Sequence, residues 1–268
     1  MAGARNKGEG YFDEAYWNNR YARDPAPFDW YQRYGEISPL IKMYIKTTDR
    51  ILMVGCGSAL LSEEMAKDGY QRIMNVDISD ILIKFLIDKY KHMPQLQYKT
   101  MDVRCMKEFK DGEFSSVLDK GMLDNLMCGS SAQACAASML SEVHRVLKPG
   151  GIYMLVSYGD PRGRMAYLRT KYLPWASIKL HAIPRPGSKR AYPPRKITDV
   201  IEMQRDLSKG PWCNVEEPDL HYVYICSKLD PKAKEKTPEL PKSSKLAIFK
   251  KSMLEAQNKI LYNKYNSE

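Results

Sequence analysis

The 268-residue chain lacks the sequence features of metal-binding, secreted and membrane-spanning proteins. Its six cysteines are dispersed, without a Cys-x-x-Cys pair or a zinc-type spacing with the four histidines. The longest apolar runs, such as Ile152–Val156, are far shorter than the ~20 residues of a spanning helix. Met1–Gly10 is polar and has no apolar signal-peptide core. We therefore expect reduced cysteines, no metal, no membrane contact and a cytoplasmic location.

What the chain does contain is enough apolar residue for a sizeable core, together with an uneven distribution of charge. Hydrophobic residues make up 44% and charged residues 28%, a composition that argues against disorder. The net charge is +10, yet residues 1–159 carry 20 basic and 20 acidic side chains. Residues 160–210 carry 12 basic and 4 acidic side chains. This basic region suits an acidic protein surface or RNA, or serves only as a solubilising surface.

Short apolar segments alternate with helical patterns from residue 49 onward, which predicts an α/β fold with a doubly wound, mostly parallel sheet. The predicted strands are Arg50–Val54, Arg72–Val76, Leu96–Met101, Phe114–Leu118, Ile152–Ser157, Trp175–Ile183 and Leu220–Ser227. The predicted helices are a helix capped by Ser58 and ending near Lys67, Asp80–Lys91, Ala132–Leu147 and a short helix near Asp199–Asp206.

The ends of the first two predicted strands carry residue types that a nucleoside ligand requires. Gly55-Cys56-Gly57 follows the first strand, and glycine there lets the backbone turn sharply and approach a ligand closely. Asp77 ends the second strand, 20 residues after Gly57, where a carboxylate would accept hydrogen bonds from ribose hydroxyls.

The next two strand ends extend the same pattern. Asp102 with Val103 suits an adenine amino group beside an apolar wall, and Asp119-Lys120-Gly121 would lie at the reactive end of the ligand. A nicotinamide dinucleotide is the alternative, but the third glycine of its fingerprint would fall at Leu60. S-adenosylmethionine has no pyrophosphate, so we favour it as the cofactor.

Several segments occur in the same order as in the seven-strand, class I S-adenosylmethionine-dependent methyltransferases. These segments are Tyr16–Tyr21, Phe28–Tyr31, Val54–Ser58, Met101–Arg104, Asp119–Asp124 and His221–Tyr224. Over about residues 11–230 the chain resembles the methyltransferase-like family that contains the eukaryotic elongation factor 1-alpha lysine methyltransferases and their plant relatives. The resemblance implies a Rossmann-like seven-stranded sheet and an N-terminal aromatic lid.

The resemblance also implies a set of residues that bind the cofactor. It assigns Trp17, Tyr21 and Trp30 to the aromatic lid over the methionine end of the cofactor and Gly55 to the turn. Asp77 is the ribose acid with Ile78 beside it, Asp102 and Val103 form the adenine site, and Lys120 is the residue after the fourth strand. Gly57 joins this set as the second glycine of the turn.

The resemblance favours transfer of a methyl group to a lysine side chain of a protein. A carboxylate near the fourth strand could orient the amine, and Asp119 and Asp124 are weak candidates, so no catalytic residue is assigned. The protein substrate could be acidic or a translation factor. Two alternatives remain: an enzyme acting on a small molecule or RNA, with nucleic acid less favoured, and a methyltransferase-fold subunit with an assembly role in a larger complex.

We divide the chain accordingly into three parts. Residues 1–48 form a lid segment and residues 49–230 form the methyltransferase domain, with a basic insert at 184–218 before the last strand. Residues 231–268 form a linker and a basic helix, Ser244–Tyr262, with apolar side chains on one face. That helix either docks on its own domain or binds a partner protein.

Overall fold

The computed structural model of the protein describes residues 13–129, 131–188, 196–203 and 219–232. The chain divides into two compact units, Met1–Asp230 and Pro231–Glu268. All helices and strands in the described residues belong to the first unit. The predicted helix Ser244–Tyr262, most of its linker and most of the basic insert 184–218 lie outside the described residues.

The first unit contains seven helices and seven strands within the described residues. The helices are α1 (Glu14–Arg23), α2 (Tyr34–Tyr44), α3 (Leu61–Lys67), α4 (Asp80–Lys89), α5 (Met122–Leu126), α6 (Ala132–Val146) and α7 (Pro161–Leu168). The strands are β1 (Arg50–Val54), β2 (Arg72–Asp77), β3 (Leu96–Thr100), β4 (Phe114–Lys120), β5 (Leu147–Ser157), β6 (Trp175–Pro184) and β7 (Leu220–Lys228). None of these helices is long and apolar enough to cross a bilayer.

The strands form one sheet in the order β3-β2-β1-β4-β5-β7-β6. Neighbouring strands from β3 to β5 pair in parallel, whereas β7 is antiparallel to both β5 and β6. The predicted mostly parallel, doubly wound α/β sheet is thus confirmed. Since consecutive strands run outward from β1 in both directions, the sheet has its switch point between β1 and β4, where such folds bind ligands.

Two apolar cores cover the two faces of the sheet. On one face α6 contributes Met139, Leu140 and Val143, as the predicted helix face requires. On the other face α2 contributes Ile37, Leu40 and Ile41, all fully buried. Burial of three such side chains stabilises the domain by roughly 5 kcal/mol, so α2 is part of the fold itself.

Two local predictions from the sequence are wrong. Ser58 does not cap α3, which begins at Leu61 with no side-chain cap; its hydroxyl donates instead to the carbonyl oxygen of Ala26, 2.8 Å away. The segment from Asp199 to Met203 is not helical, because Ile201 forms an antiparallel bridge with Leu180 of β6. In both places a tertiary contact overrides the local preference.

Candidate active site

A cleft of about 380 Å³ lies at the carboxyl ends of β1, β2 and β4. All ten residues that the sequence predicted for cofactor binding line this cleft. They are Trp17, Tyr21, Trp30, Gly55, Gly57, Asp77, Ile78, Asp102, Val103 and Lys120. The parallel strands end at one edge of the sheet and bring the strand-end residues there together, whereas Trp17 and Tyr21 come from α1 and Trp30 from the segment before α2.

The glycine turn after β1 has the backbone geometry that its sequence predicts. Gly55 and Gly57 have φ angles of 59° and 55°, in the left-handed region that favours glycine. A Cβ atom at Gly55 would lie 2.4 Å from the Met122 sulfur, and one at Gly57 would lie 3.3 Å from the Tyr21 hydroxyl. A side chain at Gly55 would therefore clash with Met122, and one at Gly57 would press on Tyr21, so both positions require glycine.

Asp77 lies at the end of β2 and is held by backbone amides. Its Oδ2 accepts a hydrogen bond from the Gly57 amide at 3.0 Å, and its Oδ1 accepts one from the Ser79 amide at 3.1 Å. Burial raises its pKa, while these amide hydrogen bonds lower it. Each carboxylate oxygen has a further lone pair, so the oriented group can accept hydroxyl donors from a ligand in the cleft.

Asp102 lines the cleft beside Val103, but its carboxylate is already paired. Arg104 donates from Nε at 2.9 and 3.0 Å and from Nη2 at 2.7 Å, and its backbone amide adds a fourth bond. Burial raises the pKa of Asp102, but the hydrogen bonds and the charge of Arg104 outweigh burial and hold this pKa below the ordinary value of an aspartate. An adenine amino group would share this carboxylate with Arg104, a pairing that the sequence prediction did not include.

Lys120 is buried rather than exposed, and it fixes the N-terminal segment. Its ammonium lies 3.0 Å from Asp29 Oδ1 and donates to the carbonyl oxygen of Trp30 at 2.9 Å. Burial lowers the pKa of Lys120, and the Asp29 charge partly opposes this effect. Lys120 thus fixes the chain beside Trp30, whose ring is 43% exposed and lines the cleft.

The aromatic residues of α1 have a different environment from Trp30. Trp17 and Tyr21 are buried in the same core as α2, and their rings stack with centroids 5.7 Å apart. Burial raises the pKa of Tyr21 strongly, which keeps its hydroxyl neutral beside Gly57. These two residues line the cleft as part of the packed domain.

The two weak catalytic candidates, Asp119 and Asp124, lie in different places. Asp119 is fully buried and does not line the cleft; it accepts from the Met122 and Leu123 amides and from the Tyr153 hydroxyl. Burial raises its pKa to about 7. Its position fixes the turn from β4 into α5 and gives it no access to a methyl acceptor.

Asp124 lines the cleft and is the centre of a buried polar network. Its Oδ1 accepts from Ser157 Oγ at 2.6 Å and from Arg164 at 2.7 and 3.0 Å. Its Oδ2 accepts from the Tyr31 hydroxyl at 2.8 Å and from the Tyr158 amide at 3.0 Å. Five donor atoms, two of them on the buried cation Arg164, therefore satisfy this carboxylate within the protein.

Sequence reasoning missed several residues that shape the cleft: Tyr31, Arg104, Asn125, Tyr158 and Arg164. Tyr31 and Arg104 belong to segments that carried the family resemblance, so their motifs were a usable signal. Arg164 meets Asp124 across 40 positions of the chain, and no spacing rule indicates such a pair.

Comparison with known proteins agrees with this geometry. A family model described as a methyltransferase domain matches residues 52–155. EEF1A lysine methyltransferase 4 of Bos taurus is 33% identical over 177 residues, which cover 62% of this chain and 69% of that protein. The human eEF1A lysine and N-terminal methyltransferase is 37% identical over 146 residues, but this match spans only 21% of its length.

A solved structure also shares the fold. The words that describe this structure are 'Conversion of a Disulfide Bond into a Thioacetal Group during Echinomycin Biosynthesis'. It aligns with a TM-score of 0.53 over 81% of this chain and 93% of its own chain. Sequence identity is 12%, so the match concerns the fold alone.

The described residues fit S-adenosylmethionine. The glycine turn presents backbone without side chains to the cleft, Asp77 is an oriented acceptor, and Val103 is a buried apolar neighbour. The match to EEF1A lysine methyltransferase 4 covers more than two thirds of that protein. The protein is an enzyme that uses S-adenosylmethionine, and the chain belongs to the methyltransferase family that includes EEF1A lysine methyltransferase 4.

Proposed function

We propose that this enzyme methylates a lysine side chain of a protein, and that the protein is the translation elongation factor eEF1A. The observation that carries the proposal is the division of the cleft into two ends of different chemistry. One end, at β1, β2 and β3, has the glycine turn and the oriented Asp77. The other end, at β4 and β5, has exposed aromatic rings and a neutralised carboxylate.

The first end suits the nucleoside half of the cofactor. In this proposal Asp77 accepts the ribose hydroxyls, Asp102 and Val103 contact adenine, and the backbone at Gly55 and Gly57 lies against the methionine half. Trp17, Tyr21, Trp30, Ile78 and Lys120 complete the surroundings of the cofactor. When bound, S-adenosylmethionine supplies an electrophilic methyl group on sulfur.

The second end suits the side chain of lysine. Trp30 and Tyr158 are 43% and 51% exposed and line the cleft, so they can contact the alkyl chain of an acceptor. A lysine must lose its proton before its nitrogen can accept a methyl group, and a free carboxylate would stabilise the protonated form. Arg164 neutralises Asp124 here at 2.7 Å, which favours the neutral amine.

The names of the relatives support eEF1A as the acceptor, because proteins named for eEF1A lysine methylation match this chain at 33–38% identity. The test is incubation with methyl-labelled S-adenosylmethionine and eEF1A purified from bacteria. We expect label on a lysine that peptide mass spectrometry can assign, with Asp77→Ala enzyme as the control with weakened cofactor binding. Label on RNA or small molecules of a cell lysate, with none on eEF1A, would contradict the proposal.

A further inference from the structure

Asn125 lines the cleft, and the oxygen of its side-chain amide is unpaired within the described ranges. Its oxygen is buried and has no hydrogen-bond partner among the described residues. The same holds for four other buried polar side-chain atoms in the described part of the chain, on Gln32, His144, Trp175 and His221, and none of these residues lines the cleft. Leaving a buried acceptor unpaired costs ~1–3 kcal/mol, so an unpaired acceptor on a residue that lines a binding site points to a donor on the ligand.

The fold places Asn125 at the acceptor end of the cleft. It lies in α5, which directly follows β4, whereas Asp77 and Asp102 follow β2 and β3 on the other side of β1. The neighbouring Asp124 anchors Tyr31 and the backbone of Tyr158, which belong to the same end. Asn125 therefore follows a strand on the other side of β1 from the strands that carry the groups assigned to the nucleoside.

The neighbouring carboxylate cannot take the role of Asn125. Both oxygens of Asp124 are occupied by donors at 2.6 to 3.0 Å, and three of these donors belong to Ser157 and Arg164. A donor from a substrate would have to displace a buried ion pair or a backbone amide, which is unfavourable. The amide oxygen of Asn125 is uncharged and has no hydrogen-bond partner among the described residues.

The surroundings of Asn125 suit an alkylamine. Tyr31 lies between the two exposed rings, with centroid distances of 6.3 Å to Trp30 and 6.1 Å to Tyr158. Aromatic faces accept a methylene chain and an attached cationic group. A lysine entering along these rings would bring its nitrogen to the side of the cleft where Asp124 and Asn125 lie.

We propose that the side-chain oxygen of Asn125 accepts a hydrogen bond from the ε-amine of the acceptor lysine and so directs its lone pair at the methyl group. The inference rests on the proposed lysine acceptor. The lysine nitrogen forms the new N–C bond while the C–S bond breaks, and the sulfur keeps that electron pair. The methylated ammonium then loses a proton to solvent. An uncharged acceptor orients the neutral amine without raising its pKa as a carboxylate would.

The test compares wild-type enzyme with Asn125→Ala and Asn125→Asp, using bacterially produced eEF1A. For Asn125→Ala we expect kcat to fall at least tenfold, while the dissociation constant for S-adenosylhomocysteine stays within twofold. For Asn125→Asp the rise of kcat with pH should move to higher pH, because a carboxylate stabilises the protonated amine. Asn19→Ala, at an exposed position outside the cleft, is the matched control and should match wild type.

The outcomes separate this inference from the proposed function. If wild-type enzyme methylates eEF1A and Asn125→Ala keeps its full kcat, the inference is wrong and the function stands. Loss of S-adenosylhomocysteine binding in Asn125→Ala would assign Asn125 to the cofactor and also overturn the inference. If wild-type enzyme methylates no lysine of eEF1A, both fall. Should Asn125→Ala not fold, Asn125→Leu removes the same oxygen and is judged by the same criteria.

Discussion

The hydroxyl of Tyr31 donates a 2.8 Å hydrogen bond to Oδ2 of Asp124, across 93 positions of the chain. Tyr31 has a φ of 67°, a left-handed conformation that is unfavourable for a tyrosine. Its ring lies against Gly121, where a Cβ atom would be only 3.1 Å away. One strained residue thus connects the N-terminal segment to the turn after β4, between the two ends of the cleft.

Removing this hydroxyl should weaken that connection. Tyr31→Phe leaves the ring in place and removes one donor from a carboxylate that keeps four others. We expect a loss of about 1 kcal/mol in the free energy of unfolding, and a fall in methyl transfer larger than the fall in cofactor affinity. Urea unfolding, calorimetry and steady-state kinetics measure the three quantities. A variant that matches wild type in all three would show that the contact is incidental.

Asp77 should control cofactor affinity. Asp77→Ala removes an oriented acceptor with two amide contacts, and charge-assisted bonds to ribose hydroxyls contribute ~1.5–3 kcal/mol each. We expect the affinity for S-adenosylhomocysteine to fall at least tenfold by calorimetry. Asp77→Asn keeps one acceptor oxygen and should lose less. An unchanged dissociation constant in folded Asp77→Ala protein would remove the ribose assignment.

Breaking the ion pair of Lys120 and Asp29 should be strongly destabilising because the pair is buried. The two side chains are only 6% and 11% exposed, so Lys120→Met leaves a buried carboxylate unpaired and should cost about 3 kcal/mol. Combining Lys120→Met with Asp29→Asn should recover part of this loss in the free energy of unfolding. Lys84→Met disrupts an exposed pair with Asp80 and should change the unfolding free energy little. Equal effects in the two pairs would contradict the role of burial.

The buried carboxyl of Asp119 should give the protein a pH-dependent stability. Burial raises its pKa from 3.8 to about 7, so between these values the folded state binds more protons than the unfolded state. The contribution of Asp119 to the free energy of unfolding should therefore fall as pH rises from about 4 to about 7 and stay constant above pH 7. Asp119→Asn should flatten the profile measured by urea unfolding. If Asp119→Asn and wild type show the same pH dependence of the unfolding free energy, the raised pKa of Asp119 is contradicted.

The sequence by itself determined the sheet and the strand-end residues. Apolar segments ending at Gly55, Asp77 and Asp102 predict parallel strands, and the topology of such sheets brings strand ends to one edge. For that reason the predicted strand-end residues line one cleft, whereas Trp17, Tyr21 and Trp30 precede β1 and were predicted from the family resemblance. The local period of two or 3.6 residues carries this information without knowledge of distant contacts.

The tertiary structure alone decided how these residues are paired. Lys120 binds Asp29, and Arg164 satisfies Asp124 across 40 positions of the chain. It also separated Asp119 from Asp124, two acids five positions apart that the sequence could not distinguish. The physical reason is that burial and hydrogen-bond partners depend on packing of segments far apart in the chain, whereas residue type and spacing report only local preference.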